Sequence, residues 1–169
     1  MTRILSIDPG MNTGISLGYF DATTPFQLLE RWQVHGGLQG FIRWWERERP
    51  KFDELLSEKF ILGDDEFRAD LTPVLIEGAI QTLYRGSILW QPRTDKAGLI
   101  GYPPSAKTKA QRQRVRFDFL ERFGMFRAGI ENDDSNDTIV HSLVSLKRRR
   151  HMPTLRAYFG PRSGLTLAA

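Results

Sequence analysis

The chain has 169 residues, a hydrophobic fraction of 40% and a formal net charge of +4, which suit one compact domain with a real core and exclude a wholly disordered protein. It has no cysteine. That excludes disulfides, thiolate metal sites, iron–sulfur clusters and cysteine nucleophiles, and a metal held by oxygen or imidazole favours magnesium or manganese over zinc. No apolar run reaches membrane-spanning length and the first residues enter a strand at once, so no membrane contact and a cytoplasmic location are expected.

In chain order, the apolar run Ile4, Leu5, Ile7 reads as a buried strand ending in Asp8. A carboxylate embedded in such a strand is costly unless a cation sits beside it, and a divalent metal is the first candidate. Pro9-Gly10 and Asn12-Thr13-Gly14 supply turn chemistry, and Ile15 to Tyr19 returns as an antiparallel strand. Phe26 to Val34 is a third strand, bounded by Thr24-Pro25 and Gly36-Gly37. From Leu38 to Arg49 the spacing of Leu38, Phe41, Ile42 and Trp45 predicts an amphipathic helix that Pro50 stops. Asp53 to Leu62 is a strand with a second carboxylate, Glu58, in apolar surroundings, and a parallel strand is expected after a helix.

Gly63 to Asp70 reads as an acidic loop, and Thr72-Pro73 opens a helix to about Tyr84 in which Leu75, Ala79 and Leu83 repeat every four residues. Ser87 to Gln91 is a short strand closed by Pro92. Arg93 to Lys109, rich in Gly, Pro, Lys and Ser, predicts a long, mobile, basic surface loop. Helices follow over Ala110 to Phe123 and Ser135 to Arg149, and a loosely ordered tail is expected beyond Pro153. The order predicts an α/β fold: a mixed sheet of three antiparallel strands then parallel strands, with helices on both faces. Residues 1–150 would form the domain and 151–169 the tail.

Charge is distributed unevenly. Acids gather at Asp64, Asp65, Glu66 and Asp70 and again at Glu131, Asp133, Asp134 and Asp137, whereas bases dominate from Lys96 to Arg116 and at Lys147 to Arg150. A polyanion would meet the bases and leave the acids free to hold metal, although ordinary solvated charge explains composition alone equally well. Asp134 and Asp137, three residues apart at a helix start, share one face that His141 extends. Acids in a first turn are also ordinary partners of the helix dipole, Glu58 alone fits a surface strand end, and Glu77 rivals it from mid-helix. Together, though, clustered carboxylates must take up protons or bind cations. Two magnesium ions on such a cluster suit in-line phosphodiester hydrolysis without a serine or cysteine nucleophile. His141 would tune the metals or simply pack, and Trp44, Trp45, Phe117 and Phe119 fit core packing better than base stacking or a dimer interface.

Three motifs carry a resemblance. Ile7-Asp8-Pro9-Gly10 with Thr13-Gly14, Ser57-Glu58-Lys59-Phe60, and the pair Asp134 and Asp137 resemble the acidic motifs of RuvC-type Holliday-junction resolvases of the ribonuclease H-like (retroviral integrase) superfamily, in a diverged bacteriophage form. The resemblance spans roughly residues 3–150. It implies a ribonuclease H-like fold in which Asp8, Glu58, Asp134 and Asp137 bind two Mg2+ ions, with Mn2+ as substitute, and catalyse hydrolytic nicking of branched DNA, four-way junctions first and then forks and flaps. It also implies a homodimer in the cytoplasm of a bacterial host and a basic DNA-gripping stretch at Lys96, Lys107, Lys109, Arg112 and Arg114; His141 is an auxiliary candidate only from its place on the helix face of Asp134 and Asp137. Two alternatives stay open. A catalytically silent branched-DNA-binding module would keep the fold, and the Asp8 turn also resembles the first phosphate loop of actin-like ATPases and sugar kinases, although no second such loop is apparent.

Overall fold

Side-chain alternation along the first strand sets the architecture. Strand β1 (Thr2–Asp8) sends Leu5 and Ile7 to one face and Ile4, Ser6 and Asp8 to the other, so a sheet containing it needs cover on both sides. The computed structural model describes residues 1–61, 70–129 and 133–160, with Asp133 described by its backbone alone. β1 pairs antiparallel with β2 (Asn12–Phe20), which pairs antiparallel with β3 (Gln27–His35). On its other side β1 runs parallel to β4 (Glu54–Lys59), and β4 parallel to β5 (Ile88–Pro92). The five-stranded order is β3-β2-β1-β4-β5, the mixed sheet expected.

One face is mainly apolar. Leu5, Ile7, Ile15, Leu17 and Leu55 pack against Phe41 and Trp44 of α1 (Gly37–Glu48) and Ile76 and Ile80 of α2 (Thr72–Leu83). Burying side chains of this size is worth about 1.5–3 kcal/mol each. The tight entry into α1 needs positive φ at Gly36 and Gly37, 89° and 56°, which glycine supplies without steric cost. The other face receives α3 (Lys109–Arg122) and α4 (Asp133–Arg148), whose Phe117, Leu120, Ile139, Val140, Leu143 and Val144 join Ile4, Phe20 and Leu56 in a second core. α3 begins with a reciprocal cap: the Thr108 hydroxyl accepts from the Gln111 amide while the Gln111 side chain accepts from the Thr108 amide. Trp44, Phe117 and Phe119 are core residues, and Trp45 packs half-buried against Phe41 and Phe52.

Several expectations need correction. In α2 the face toward the sheet is Pro73, Ile76 and Ile80, which leaves Leu75 and Leu83 of the expected stripe exposed. Arg93–Gly98 forms a 3₁₀ helix with Asp95 and Lys96 buried, where a mobile surface loop was expected, because Arg148 binds Asp95 and the Lys147 ammonium donates to the Gly98 and Leu99 carbonyls. The expected loose tail is folded through Phe159: Met152–Thr154 is helical, Leu155–Phe159 continues as a π turn, and Phe159 stacks on Phe119. Tyr158 donates to the Phe26 carbonyl at 2.6 Å, and the Thr154 hydroxyl accepts from the Phe26 amide at 2.9 Å. The acidic loop expected over 63–70 lies outside the described residues except at Asp70, and Glu131 lies outside them too.

Candidate active site

Pairing brings the first two acids together. The parallel register of β1 and β4 aligns Ile7 with Ser57, so the next step sets Asp8 beside Glu58 at the C-terminal ends of neighbouring strands. Strand alternation points both toward α4. α4 crosses the same strands: the Ser6 and Ser142 hydroxyls meet at 2.6 Å, and the helix start lies directly on β2. Gly14 makes that approach possible, because a Cβ there would fall 2.1 Å from the Asp134 carbonyl carbon. Gln33 of β3 pins the first turn, its amide NH2 donating to Asp134 Oδ2 at 2.9 Å and its carbonyl accepting from the Ser135 amide at 3.2 Å. The seating projects Asp137 and His141 over Asp8 and Glu58.

At the centre is Lys96. Its ammonium donates to Asp8 Oδ2 at 2.8 Å and Asp137 Oδ2 at 3.0 Å and lies 2.8 Å from Glu58 Oε2, so its three donors face three carboxylates. Arg116 holds Asp137 from behind, Nε and Nη2 to Oδ1 at 3.2 and 3.1 Å, while its Nη1 donates to the Tyr102 hydroxyl at 2.9 Å. His141 donates from Nε2 to Glu58 Oε2 at 2.8 Å, and its buried Nδ1 finds no hydrogen-bond partner among the described residues. Ligand atoms of Asp8, Glu58 and His141 all lie within 4.8 Å of one another, close enough to share one ion.

Crowding shows in the protonation equilibria. Burial pushes the Asp8 carboxyl up to about 6; Lys96 opposes the shift and the Glu58 charge adds to it. Burial would raise Glu58 too, but the His141 hydrogen bond and the Lys96 charge bring it down to about 2. Lys96 is held above its ordinary value, because the attraction of Asp8, Asp137 and Glu58 outweighs desolvation. A cluster of oxygen and imidazole donors that stays anionic near neutral pH suits a hard divalent cation, so the residues fit magnesium or manganese.

Asp8, Glu58, Lys96, Arg116 and Asp137 line a cleft of about 850 Å3 whose mouth carries Arg93, Lys109 and Arg112, and His141 lies buried behind Glu58. Of the residues the sequence nominated, the structure gathers Asp8, Glu58, Asp137 and His141; Asp134 lines the same cleft with its carboxylate held by Gln33. Lys109 and Arg112 reach the rim, and exposed Lys107 and Arg114 lie outside the lining, Arg114 paired with Asp118 at 2.6 Å. Lys96, expected on a DNA-gripping surface, is instead buried among the acids, because the 3₁₀ helix turns it inward. Glu77 stays apart: its carboxylate accepts the Phe60 amide at 2.5 Å and fixes the chain leaving β4. Arg116 and Gln33 escaped notice, and no local pattern distinguishes them from other polar residues. A second cleft, about 900 Å3 along β5, holds no comparable group of acids, its Glu54 being paired with Arg149.

No protein-family model matches the chain, and no curated protein matches it in sequence. Solved structures do match. The Thermus thermophilus RuvC structure aligns with a TM-score of 0.60 at 13% identity over 87% of this chain and 96% of that one. T. thermophilus RuvC in complex with Holliday junction substrate gives 0.61 at 14% over 91% and 98%. Fowlpox virus resolvase with substrate Holliday junction DNA gives 0.50 at 16% over 85% and 99%. The chain therefore shares the fold of these structures, the mixed α/β fold that the sequence led us to expect.

Proposed function

We propose that this chain, built on the resolvase fold, is a Mg2+- or Mn2+-dependent, structure-selective endodeoxyribonuclease that resolves Holliday junctions, with forks and flaps as further branched substrates. The observation that carries the reading is the convergence of Asp8, Glu58 and Asp137, from two strands and one helix, in a cleft with a basic mouth, with His141 bonded to Glu58 from behind. Asp134 sits in the same cleft and completes the carboxylate set. These residues would hold two divalent ions, which when bound supply charge stabilisation on the phosphoryl oxygens and a more acidic water for attack. The chain's own part is positioning. Arg116 fixes the Asp137 carboxylate, His141 fixes Glu58, and Gln33 fixes Asp134. Lys109 and Arg112 would meet DNA phosphates, giving affinity with little base preference. The two RuvC and fowlpox resolvase structures with junction DNA support the choice of substrate.

A homodimer would place two such clefts on one junction for paired nicks. Leu71, Val74, Leu75 and Gly78 form an exposed apolar stripe along α2, and a Cβ at Gly78 would meet nothing within 4 Å, so a second helix could approach closely there.

The test is cleavage of synthetic four-way junctions with either metal. Wild type should nick them, and Asp8→Asn or Glu58→Gln should lower the rate on the order of 10³-fold while leaving mobility-shift binding intact. Tight binding without cleavage under either metal would make the protein a silent junction-binding module.

A further inference from the structure

Lys96 holds the oxygens a metal would need. Its Nζ contacts Asp8 Oδ2, Glu58 Oε2 and Asp137 Oδ2, each at 3.0 Å or less, from a side chain only 9% exposed. Two of those acids, Asp8 and Glu58, are also in the group able to share an ion. A divalent ion on these oxygens would lie within a few ångströms of the ammonium, in a buried setting where the repulsion is screened less than in water. Charge balance points the same way. Lys96 and Arg116 leave the three carboxylates they touch with one net negative charge, so a single dication on those oxygens with both bases in place gives an excess of positive charge, and removing one base restores neutrality. Arg116 cannot leave readily, being buried and forked onto Asp137 and Tyr102. Lys96 can: its four-carbon stem swings while its backbone turn stays clamped by Arg148 on Asp95 and Lys147 on the Gly98 and Leu99 carbonyls. The cleft it would enter is the one lined by Lys109 and Arg112.

We propose that Lys96 is a tethered cation competing with the divalent metal for Asp8, Glu58 and Asp137, so that metal loading expels its ammonium into the DNA-facing cleft. The inference rests on the metal-nuclease reading above and adds an exchange step to it. Lys96 becomes a positioning residue that keeps the acids gathered and sets the metal concentration at which the site fills.

Calorimetric titration of Mn2+ into wild type, Lys96→Gln and the exposed control Lys51→Gln, without DNA, tests it. Competition predicts that Lys96→Gln binds Mn2+ at least tenfold more tightly than wild type, with Lys51→Gln unchanged. A scaffolding role for Lys96 predicts the reverse, weaker binding in Lys96→Gln, and that result or equal affinities would overturn the proposal while leaving metal use intact. Failure of both wild type and Lys96→Gln to bind Mn2+ would sink the metal-nuclease reading and this inference together. The second measurement is thermal unfolding: Mn2+ should raise the melting temperature of Lys96→Gln more than that of wild type. A Lys96→Gln chain that does not fold alone should refold when Mn2+ is added, and absence of that rescue counts against the exchange.

Discussion

The two faces of the sheet use the same strands for opposite purposes. On the α1–α2 face, β1 offers Leu5 and Ile7 and β2 offers Ile15 and Leu17, which pack in an apolar cluster with Phe41, Trp44, Ile76 and Ile80. On the α4 face, β1 changes character along its length: Ile4 joins the core, Ser6 bonds Ser142, and Asp8 enters the carboxylate cluster. α4 repeats the gradient in reverse, from Val144 and Leu143 through Ser142 and His141 to Asp137. One face holds the strands in register by burial alone. The other pays for a buried charged cluster, which burial penalises and only ion pairing and hydrogen bonds sustain. Stability and chemistry are thus separated across one layer of backbone.

Breaking the apolar face should cost most. Phe41, fully buried between the sheet and Trp44 and Trp45, should lose about 3–5 kcal/mol of folding stability on Phe41→Ala in a urea titration, while molecules that remain folded keep their Mn2+ affinity. Gly14→Ala tests the polar face by prising α4 from the sheet. Its Cβ would meet the Asp134 carbonyl carbon and oxygen at 2.1 and 2.2 Å, backbone that must shift. Overpacking of this kind costs about 1–3 kcal/mol, and because Asp137 moves with the helix, Mn2+ affinity should fall as well. A stability loss with unchanged Mn2+ affinity would mean the metal site depends less on the seating of α4 than the geometry says.

The smallest effect sharpens the comparison through pH. Burial lifts the Asp8 carboxyl to about 6 in the folded chain from the ordinary aspartate value of 3.8, so Mn2+ affinity should be full above that point and weaken about tenfold per pH unit below it, read by calorimetry across the range. Its contribution to stability has the opposite sign. The native state binds this proton more tightly than the unfolded chain, so raising pH through the window between those two values costs the metal-free protein stability. Phe41→Ala should leave this profile in place, since its side chain lies on the other face.

The succession of strands and helices and the strand positions of Asp8 and Glu58 were legible because a period of two and a period of 3.6 leave their mark in local sequence. The α2 stripe was misjudged because Leu75 and Leu83 are as apolar as Ile76 and Ile80, and hydrophobicity does not say which face meets the sheet. Glu77 was ranked behind Glu58 from the sequence, and the Phe60 amide now accounts for it. The tail gave no warning of its packing, since Thr154 and Phe159 become buried only against Phe26 and Phe119 from distant parts of the chain.

By itself the sequence determined that acids would end two strands and open one helix on a basic α/β domain, because those features are written within a few residues of each other. Which cation stands among the acids was a tertiary decision. Lys96 is separated from Asp8 by 88 positions and from Asp137 by 41, and a lysine in a Gly-, Pro- and Ser-rich stretch reads as solvated until the 3₁₀ helix and the clamp from α4 turn it inward. Long-range electrostatic convergence leaves no periodic trace in a chain, so only the folded arrangement reveals it.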